Sequence, residues 1–274
     1  MNLLKRLTYR TEVITLVRRL RLRSLLKKWY FWWARPSDGV VRIEVTGVEA
    51  RFYVRTPGEM RNLDPAGGAQ AEFPILGKVL SFLSAGGVFC DIGSNVGLYA
   101  ILAAKKLGEQ GRVLAFEPYS QAFCHLRDNI KLNGMTNITV FNKAVGKTHG
   151  TAQLNMGEEN ADSSLVRSPT GRDLGHETVD VISIDEFLRV EQLPVPQVVK
   201  IDVEGFEYSV MQGMRRTLTE PACQLVCCEV HPSLLPPEIS PQSIPAFLES
   251  LGFQHIEARP RRDTFHVFAS KTGQ

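Results

Sequence analysis

The sequence predicts an open, mostly parallel α/β sheet with helices on both faces, and three observations support this fold class. From Val88 onward, apolar segments of strand length alternate with segments of helical periodicity, as in parallel sheets joined by crossover helices. The first of these strands runs directly into a glycine-containing turn, DIGSNVG, and ligands of such sheets bind beyond the carboxyl ends of the strands. The length of 274 residues suits one large domain with an appendage.

Residues 1–35 form a basic segment whose charge differs from that of the rest of the chain. They hold ten Lys and Arg and one acid, whereas the remainder holds 22 basic and 28 acidic residues. All three Trp lie in the adjoining WYFWW motif, and residues 1–38 are predicted to be helical. A membrane-surface helix, a helix packed on the body and an organelle-targeting segment remain open as interpretations. The acidic remainder argues against a nucleic-acid-binding surface.

Residues 39–70 are predicted to form a small β-hairpin and a linker. The segment from Val40 to Val54 alternates between apolar and polar residues, with Gly47 near its middle. The segment RNLDPAGGAQ, residues 61–70, is rich in turn residues and predicts a linker. The main domain then spans residues 71–274 and begins with a helix from Phe73 to Leu83.

The main domain contains a regular succession of predicted strands and helices. Strands are predicted at Val88–Ile92, Arg112–Glu117, Ile138–Val145, Val179–Ile184, Val198–Glu204, Leu225–Val230, Phe253–Ala258 and Thr264–Ser270. Helices are predicted at Val96–Leu107, Pro118–Asn133, Gly205–Leu218 and Ser243–Leu251. The last two strands predict an antiparallel pair, and the polar stretch 146–177 predicts a functional or disordered loop.

The segment DIGSNVG, Asp91 to Gly97, is the most informative in the chain. Its glycines permit a tight turn and the close approach of a ligand. Glu117 ends the next strand, where a carboxylate accepts hydrogen bonds from both ribose hydroxyls of a nucleoside. Dinucleotide-binding loops read G-x-G-x-x-G, whereas Asn95 stands here in place of the second glycine. The loop therefore favours a ligand without phosphate, such as S-adenosylmethionine; the alternative is an ordinary strand–helix turn.

Three segments together carry a resemblance to a known family: FCDIGSNVGLYA, SIDEFL and KIDVEGFE, the last at Lys200–Glu207. The chain resembles the FkbM family of S-adenosylmethionine-dependent methyltransferases over about residues 70 to 270. The resemblance implies a Rossmann-like methyltransferase fold, with a mostly parallel seven-stranded sheet and an antiparallel C-terminal strand. The glycine loop is shared by many methyltransferases, whereas its combination with KIDVEGFE is much more specific.

The resemblance also implies which residues contact S-adenosylmethionine. The glycine loop holds the methionine part, Glu117 holds the ribose, and Asn142 is a candidate adenine contact whose alternative is a strand-end turn residue. The complete set of cofactor candidates is Asp91, Gly93, Ser94, Asn95, Gly97, Glu117, Pro118, Asn142 and Ala144. A Ser-Ser-Leu element in the long polar loop implies a cover over the cofactor or acceptor, or else a solvated surface loop; its residues are Asn160, Asp162, Ser163 and Ser164. Glu72 matches a family glutamate ahead of the glycine loop.

Methylation of a hydroxyl requires in-line positioning and the loss of a proton, so a base near the acceptor helps. The catalytic candidates at strand ends are Lys200, Asp202, Glu204, Glu229 and His231. His231 has the side-chain pKa best suited to a general base near neutrality. The four acid and histidine candidates also suit a divalent cation, an alternative that we do not favour, and no metal is assigned. Lys200 is interpreted as paired with Asp202 or Glu229, and Glu207 as an acid at a helix N-terminus.

The resemblance implies an O-methyltransferase for a hydroxyl of a sugar, glycan or other polyhydroxylated, polyketide-like acceptor. The acceptor is expected to be a small molecule or lipid-linked glycan, with no nucleic-acid partner. Residues 1–35 are a candidate peripheral membrane contact of a cytoplasmic protein, on the inner face of the membrane. The five cysteines are interpreted as reduced and mostly buried. The alternatives are a membrane-surface adaptor with a degenerate methyltransferase fold, and a methyltransferase for protein or nucleic acid.

Overall fold

The computed structural model describes residues 31–32, 35–65, 68–156, 164–165, 175–261 and 263–272. The predictions for the basic segment therefore lie almost entirely outside the described residues. Asn160, Asp162 and Ser163 of the polar loop also lie outside them, whereas Ser164 is described. Within the described residues, the structure contains no helix that is long and apolar enough to cross a membrane.

The strands and helices of the described residues are numbered separately, each in chain order. The strands are β1 Val40–Val45, β2 Val48–Tyr53, β3 Val88–Ile92, β4 Arg112–Phe116, β5 Ile138–Phe141, β6 Ala144–Val145, β7 Gly150–Asn155, β8 His176–Ile182, β9 Val198–Ile201, β10 Leu225–Val230, β11 His255–Arg261 and β12 Thr264–Ser270. The helices are α1 Pro57–Leu63, α2 Gly68–Ser81, α3 Leu98–Leu107, α4 Ser120–Leu132, α5 Ile184–Val190, α6 Glu207–Gly213, α7 Arg215–Thr219 and α8 Ser243–Ser250.

The central sheet has seven strands in the order β11-β12-β10-β9-β3-β4-β5. β5, β4, β3, β9 and β10 are mutually parallel, and β12 runs antiparallel between β10 and β11. The order reverses next to β3, since β4 lies on one side of it and β9 on the other. This topology confirms the predicted fold class, including the antiparallel C-terminal strand, and it places the switch point at the carboxyl end of β3.

Both faces of the central sheet are covered, so its parallel strands are mostly apolar on both sides, with Asp91 of β3 and Lys200 of β9 as buried charged exceptions. Phe89 packs in one buried layer with residues of α2 and α3, whereas Cys90 packs in a second layer with residues of α6 and α8. Four of the five cysteines, all except Cys124, are buried and all five are free thiols, which confirms that part of the sequence interpretation. Because both faces of the sheet are covered by other elements, a ligand is expected at the strand ends.

The N-terminal hairpin is attached to α4 through its own edge. Asn133, directly after α4, and Asn129 within it accept hydrogen bonds from the backbone amides of Arg51 and Tyr53 at 3.0 and 2.9 Å, respectively. These side chains satisfy the edge of β2, which otherwise has unpaired amides. The predicted linker at residues 61–70 is too long, because α1 ends at Leu63 and α2 begins at Gly68. A capping box between Thr56 and Glu59 starts α1 and explains why helix forms there.

A separate three-stranded sheet, in the order β6-β8-β7, lies beside the central one. The prediction of one strand over 138–145 is wrong, since β5 ends at Phe141 and β6 pairs with β8 instead. The side-chain amide of Asn142 donates to the carbonyl oxygens of Glu117 and Pro118 at 2.9 and 2.8 Å. These bonds fix the chain at the end of β5, where it leaves the central sheet.

The predicted strand Val198–Glu204 is also too long. β9 ends at Ile201, and the chain then turns through Glu204 and Gly205, which have φ angles of +51° and +98°. A strand cannot continue through two left-handed residues, so Lys200, Asp202 and Glu204 do not form one charged strand face as their alternation predicts. The helix predicted over 205–218 is divided into α6 and α7 on either side of Met214.

Candidate active site

The carboxyl ends of β3 and β9 meet at the switch point and are held together by their backbones. The amide of Asp202 donates to the carbonyl of Ile92 at 3.0 Å. Gly93 has a φ of +80°, and a Cβ atom at this position would overlap the carbonyl oxygen of Asp202. Only glycine therefore permits this approach, which brings the glycine loop against the first residue after β9.

Glu117 lies at the end of β4 and binds the glycine loop. Its carboxylate accepts hydrogen bonds from the backbone amides of Asn95 at 2.7 Å and Tyr119 at 2.9 Å. Burial raises its pKa to about 7, although these two bonds favour the ionised form. A carboxylate has about four lone-pair sites, so two remain for further donors.

One pocket extends from this carboxylate to the chain that follows β9. It is lined by Ile92, Gly93, Asn95, Phe116, Glu117, Pro118, Lys143, Ala144, Val145, Leu154, Leu165, Asp202, Val203 and Glu204. Apolar walls with carboxylates at the two ends suit a nucleoside whose hydroxyls and charged groups lie apart. This lining therefore fits S-adenosylmethionine, and five of the predicted cofactor residues belong to it.

The other four predicted cofactor residues do not line the pocket; they pack beneath the residues that do. Ser94 donates its hydroxyl to the carbonyl of Asp91 at 2.8 Å, and Asp91 itself is fully buried. A Cβ atom at Gly97 would overlap the side chain of Leu126, so Gly97 permits close packing of α3 on α4. Asn142 holds the backbone that follows β4 through its two side-chain hydrogen bonds. The proposed contacts of these four residues with the cofactor remain predictions.

His231, directly after β10, lies among three carboxylates. Its Nδ1 is 2.7 Å from Oε1 of Glu207, and its Nε2 is 3.5 Å from Glu204 and 3.9 Å from Asp202. Burial acts to lower its pKa, but the hydrogen bond to Glu207 and the neighbouring negative charges raise it to about 10. The imidazole is therefore protonated at neutral pH in this arrangement, which argues against His231 as the resting general base.

Lys200 links Asp202, one of the carboxylates around His231, to the glycine loop. Its Nζ donates to the carbonyl of Gly93 at 2.8 Å and lies 3.4 Å from Asp202 and 3.5 Å from Asp91. Burial acts to lower the pKa of Lys200, but Asp202 and Asp91 raise it above its usual value. Lys200 is thus paired with Asp202, one of its two predicted partners, and with Asp91, which the sequence interpretation did not name.

Glu229 belongs to a second cluster of charged residues, beside the cluster around His231. Arg261 contacts its carboxylate at 3.2 Å and also pairs with Glu72 of α2. His266 lies 3.4 Å from Glu229, and Thr264 donates its hydroxyl to it at 2.7 Å. Although burial acts to raise the pKa of Glu229, these partners hold it below its usual range. The carboxylate of Glu229 is therefore paired with residues of the hairpin that β11 and β12 form.

Asp202, Glu229 and His231 are placed closely enough to suggest a cation site. One ligand atom from each lies within 4.8 Å of the others. His231 binds a metal only when neutral, however, and the surrounding carboxylates keep it protonated in their present arrangement. A divalent cation stays an untested alternative.

One contributor to the site was not recognised as functional from the sequence. Glu207 was interpreted only as an acid at a helix N-terminus, yet its buried carboxylate holds His231 and accepts the amide of Gly205 at 2.9 Å. Its distance of 24 residues from His231 matches no local spacing rule. Leu165, in the Ser-Ser-Leu element that was predicted as a cover, lines the pocket, and the hydroxyl of the adjacent Ser164 donates to the carbonyl of Glu204. The described part of this element, Ser164 and Leu165, thus reaches the pocket.

The strand order of the central sheet, with β12 reversed, is that of Rossmann-like methyltransferases, and the chain is an S-adenosylmethionine-dependent enzyme of this class. The family model for the "Methyltransferase FkbM domain" matches residues 91–255. The chain belongs to the FkbM methyltransferase family.

The chain is also similar to individual methyltransferases. The chain is 27% identical to the hexuronic acid methyltransferase AglP of Haloferax volcanii over 219 residues, covering 76% of this chain and 83% of AglP. It is 25% identical to methyltransferase 1 of Beauveria bassiana over 142 residues, which are 45% of this chain and 57% of that protein. The crystal structure of a methyltransferase FkbM from Methylobacillus flagellatus aligns with a TM-score of 0.48 and 17% identity, over 78% of this chain and 54% of that one. The chain thus spans about half the length of that solved relative.

Proposed function

We propose that this enzyme transfers a methyl group from S-adenosylmethionine to a hydroxyl of a sugar or related polyhydroxylated acceptor. The observation that carries the proposal is the pocket that extends from the predicted ribose-binding Glu117 to Asp202 and Glu204. The name of the relative AglP, a hexuronic acid methyltransferase, supports a sugar as the acceptor class. A soluble sugar and a lipid-linked glycan share this chemistry.

The cofactor half of the pocket is proposed to consist of the glycine loop and Glu117. When bound there, S-adenosylmethionine supplies a methyl group activated on a sulfonium. Glu117 accepts hydrogen bonds from the ribose hydroxyls through its free lone pairs, while Asn95 and Tyr119 keep its carboxylate in place. Gly93 and Asn95 form the pocket wall beside it, and apolar side chains exclude water.

The acceptor half is proposed to consist of Asp202 and Glu204, which line the pocket, and of His231, which lies behind them. Asp202 is one-third exposed and lines the pocket, so its carboxylate is placed to accept the proton of the acceptor hydroxyl. Lys200 and His231 lie on either side of Asp202 and hold its orientation by their charges. This assignment revises the sequence interpretation, in which His231 was the first candidate for the base.

The test is to incubate the protein with isotope-labelled S-adenosylmethionine and a set of neutral sugars, hexuronic acids and lipid-linked glycans. The proposal expects label in a sugar product as a methyl ether, which resists mild alkali. An alkali-labile methyl ester would place the methyl group on a carboxyl instead and contradict the role of a hydroxyl. Label in protein or nucleic acid, with no labelled sugar, would contradict the acceptor class.

A further inference from the structure

A fully buried carboxylate, that of Glu207, joins the two loops that build the acceptor half. Its Oε1 accepts the amide of Gly205 at 2.9 Å, in the loop after β9. The same oxygen lies 2.7 Å from Nδ1 of His231, in the loop after β10. A charged group with no exposed surface is costly unless its partners compensate, so its position reflects a defined role.

The loop after β9 needs such a support because its backbone is strained. Glu204 has a φ of +51°, an uncommon conformation for a residue other than glycine. Gly205 follows with a φ of +98°, and a Cβ atom there would overlap the carbonyl oxygen of Leu234. The bond from Gly205 to Glu207 fixes this turn, which sets where Asp202 and Glu204 stand in the pocket.

The bond to Nδ1 fixes the other loop in a complementary way. With Nδ1 donating to Glu207, the imidazole directs Nε2 toward Glu204 and Asp202, at 3.5 and 3.9 Å. A carboxylate that accepts from one ring nitrogen of a histidine, here Nδ1, sets both the orientation and the protonation of the ring. The groups that face His231 are Asp202, Glu204, Glu207 and Glu229, all acidic.

We infer that Glu207 is the positioning residue of the acceptor half, holding His231 by Nδ1 and the Gly205 turn by its amide. This inference rests on the proposed function, because it assigns His231 to the acceptor side of the same pocket. Glu207 does not line the pocket and acts through His231 and the turn. The sequence KIDVEGFE thus contains both an element of the pocket wall and the acid that supports it.

The test compares Glu207→Gln with wild type. Glutamine keeps the size and one acceptor oxygen but removes the charge. We expect the pKa of His231, followed by NMR, to fall by about 1–3 units, as the loss of a contacting charge requires. The rate constant kcat should fall about 10- to 100-fold, since misplacement of reacting groups is costly, while the affinity for S-adenosylmethionine stays within about threefold.

A matched control is Glu59→Gln. Glu59 is also buried and also contacts a histidine, His125, at 2.9 Å, but it lies in the capping box of α1. This variant should leave the titration of His231 and kcat unchanged. The six histidines are distinguished by the signal that disappears in His231→Gln.

An unchanged His231 titration together with an unchanged kcat in folded Glu207→Gln would overturn the inference. If that variant does not fold, the wild-type protein still decides, because the inference requires a slowly exchanging Nδ1 proton on His231, and its absence would overturn it. These NMR measurements need no acceptor. A failure to methylate any sugar would therefore count against the proposed function without removing the test of Glu207.

Discussion

The two proposed halves of the pocket are built in different ways. In the cofactor half, the backbone makes the contacts: the Gly93 turn lies on the carbonyl of Asp202, and Glu117 binds two amides. In the acceptor half, side-chain charges make them, as between Glu207 and His231. Substitutions in the first half should therefore affect cofactor binding and folding, whereas those in the second should affect the rate of methyl transfer.

A substitution at the junction of the two halves, Gly93→Ala, is expected to have the largest effect. Gly93→Ala places a side chain in a left-handed conformation and against the backbone of Asp202. We expect it to lower the free energy of unfolding by roughly 3 kcal/mol or more and to abolish binding of S-adenosylmethionine. Denaturant unfolding and calorimetry measure the two effects.

Gly47→Ala is the matched control for this substitution. Gly47 has nearly the same φ, +82° against +80°, but nothing lies within 4 Å of a Cβ atom built there. It should cost only about 1–2 kcal/mol and leave cofactor binding intact. Equal losses from the two substitutions would show that strain alone matters, and that the approach of Gly93 to Asp202 does not.

Glu117→Gln sharpens the comparison on the cofactor side. Because the pKa of Glu117 is raised to about 7, its ionised form, the better acceptor for ribose hydroxyls, increases as the pH rises through 7. Wild-type affinity for S-adenosylmethionine should therefore increase about tenfold from about pH 6 to about pH 8. The variant should bind more weakly and without this slope, as calorimetry at several pH values measures. A wild-type affinity that does not change with pH would contradict the role of Glu117.

The charged group around Glu229 gives the smallest expected effect. Arg261 is about one-third exposed, so solvent screens its pairs with Glu72 and Glu229. Arg261→Met should lower the free energy of unfolding by about 1 kcal/mol at low salt, and by less at high salt. Cofactor affinity should not change, and a tenfold loss of it would break the division between the two halves.

The control for Arg261 is Arg42→Met, which removes an exposed pair with Glu49 on the N-terminal hairpin. Exposed pairs of this kind contribute little, so no measurable change is expected. An equal effect of both substitutions would indicate that Arg261 contributes only general surface charge.

The sequence predicted the fold, the glycine loop and the position of Glu117 because all three follow from local patterns. Alternating strands and helices, and a glycine loop followed by an acid at the end of the next strand, specify the sheet and the position of Glu117. The last strand, Thr264–Ser270, was predicted to the residue. Strand ends were less accurate. Asn142 holds the chain after β5 through bonds to Glu117 and Pro118, which are distant in sequence, and β9 ends at Ile201, before the left-handed turn at Glu204 and Gly205.

The acceptor half was predicted as a set of residues but not as an arrangement. Asp202, Glu204 and His231 do come together, yet their roles depend on charges contributed by other elements. The proximity of Glu207 to His231, which keeps the imidazole protonated, follows from the packing of α6 beside β10. No periodicity or spacing in the chain encodes that packing.

Asp202→Asn tests most directly the claim that one pocket contains two separable halves. The isosteric amide keeps the backbone contact with Ile92 but cannot accept the proton of the acceptor hydroxyl. In single-turnover assays we expect the rate of methyl transfer to fall about 100-fold or more, while the affinity for S-adenosylmethionine stays within about threefold. Glu249→Gln, at an exposed position on α8, should change neither quantity. A wild-type rate in Asp202→Asn, or a parallel loss of rate and affinity, would contradict the account.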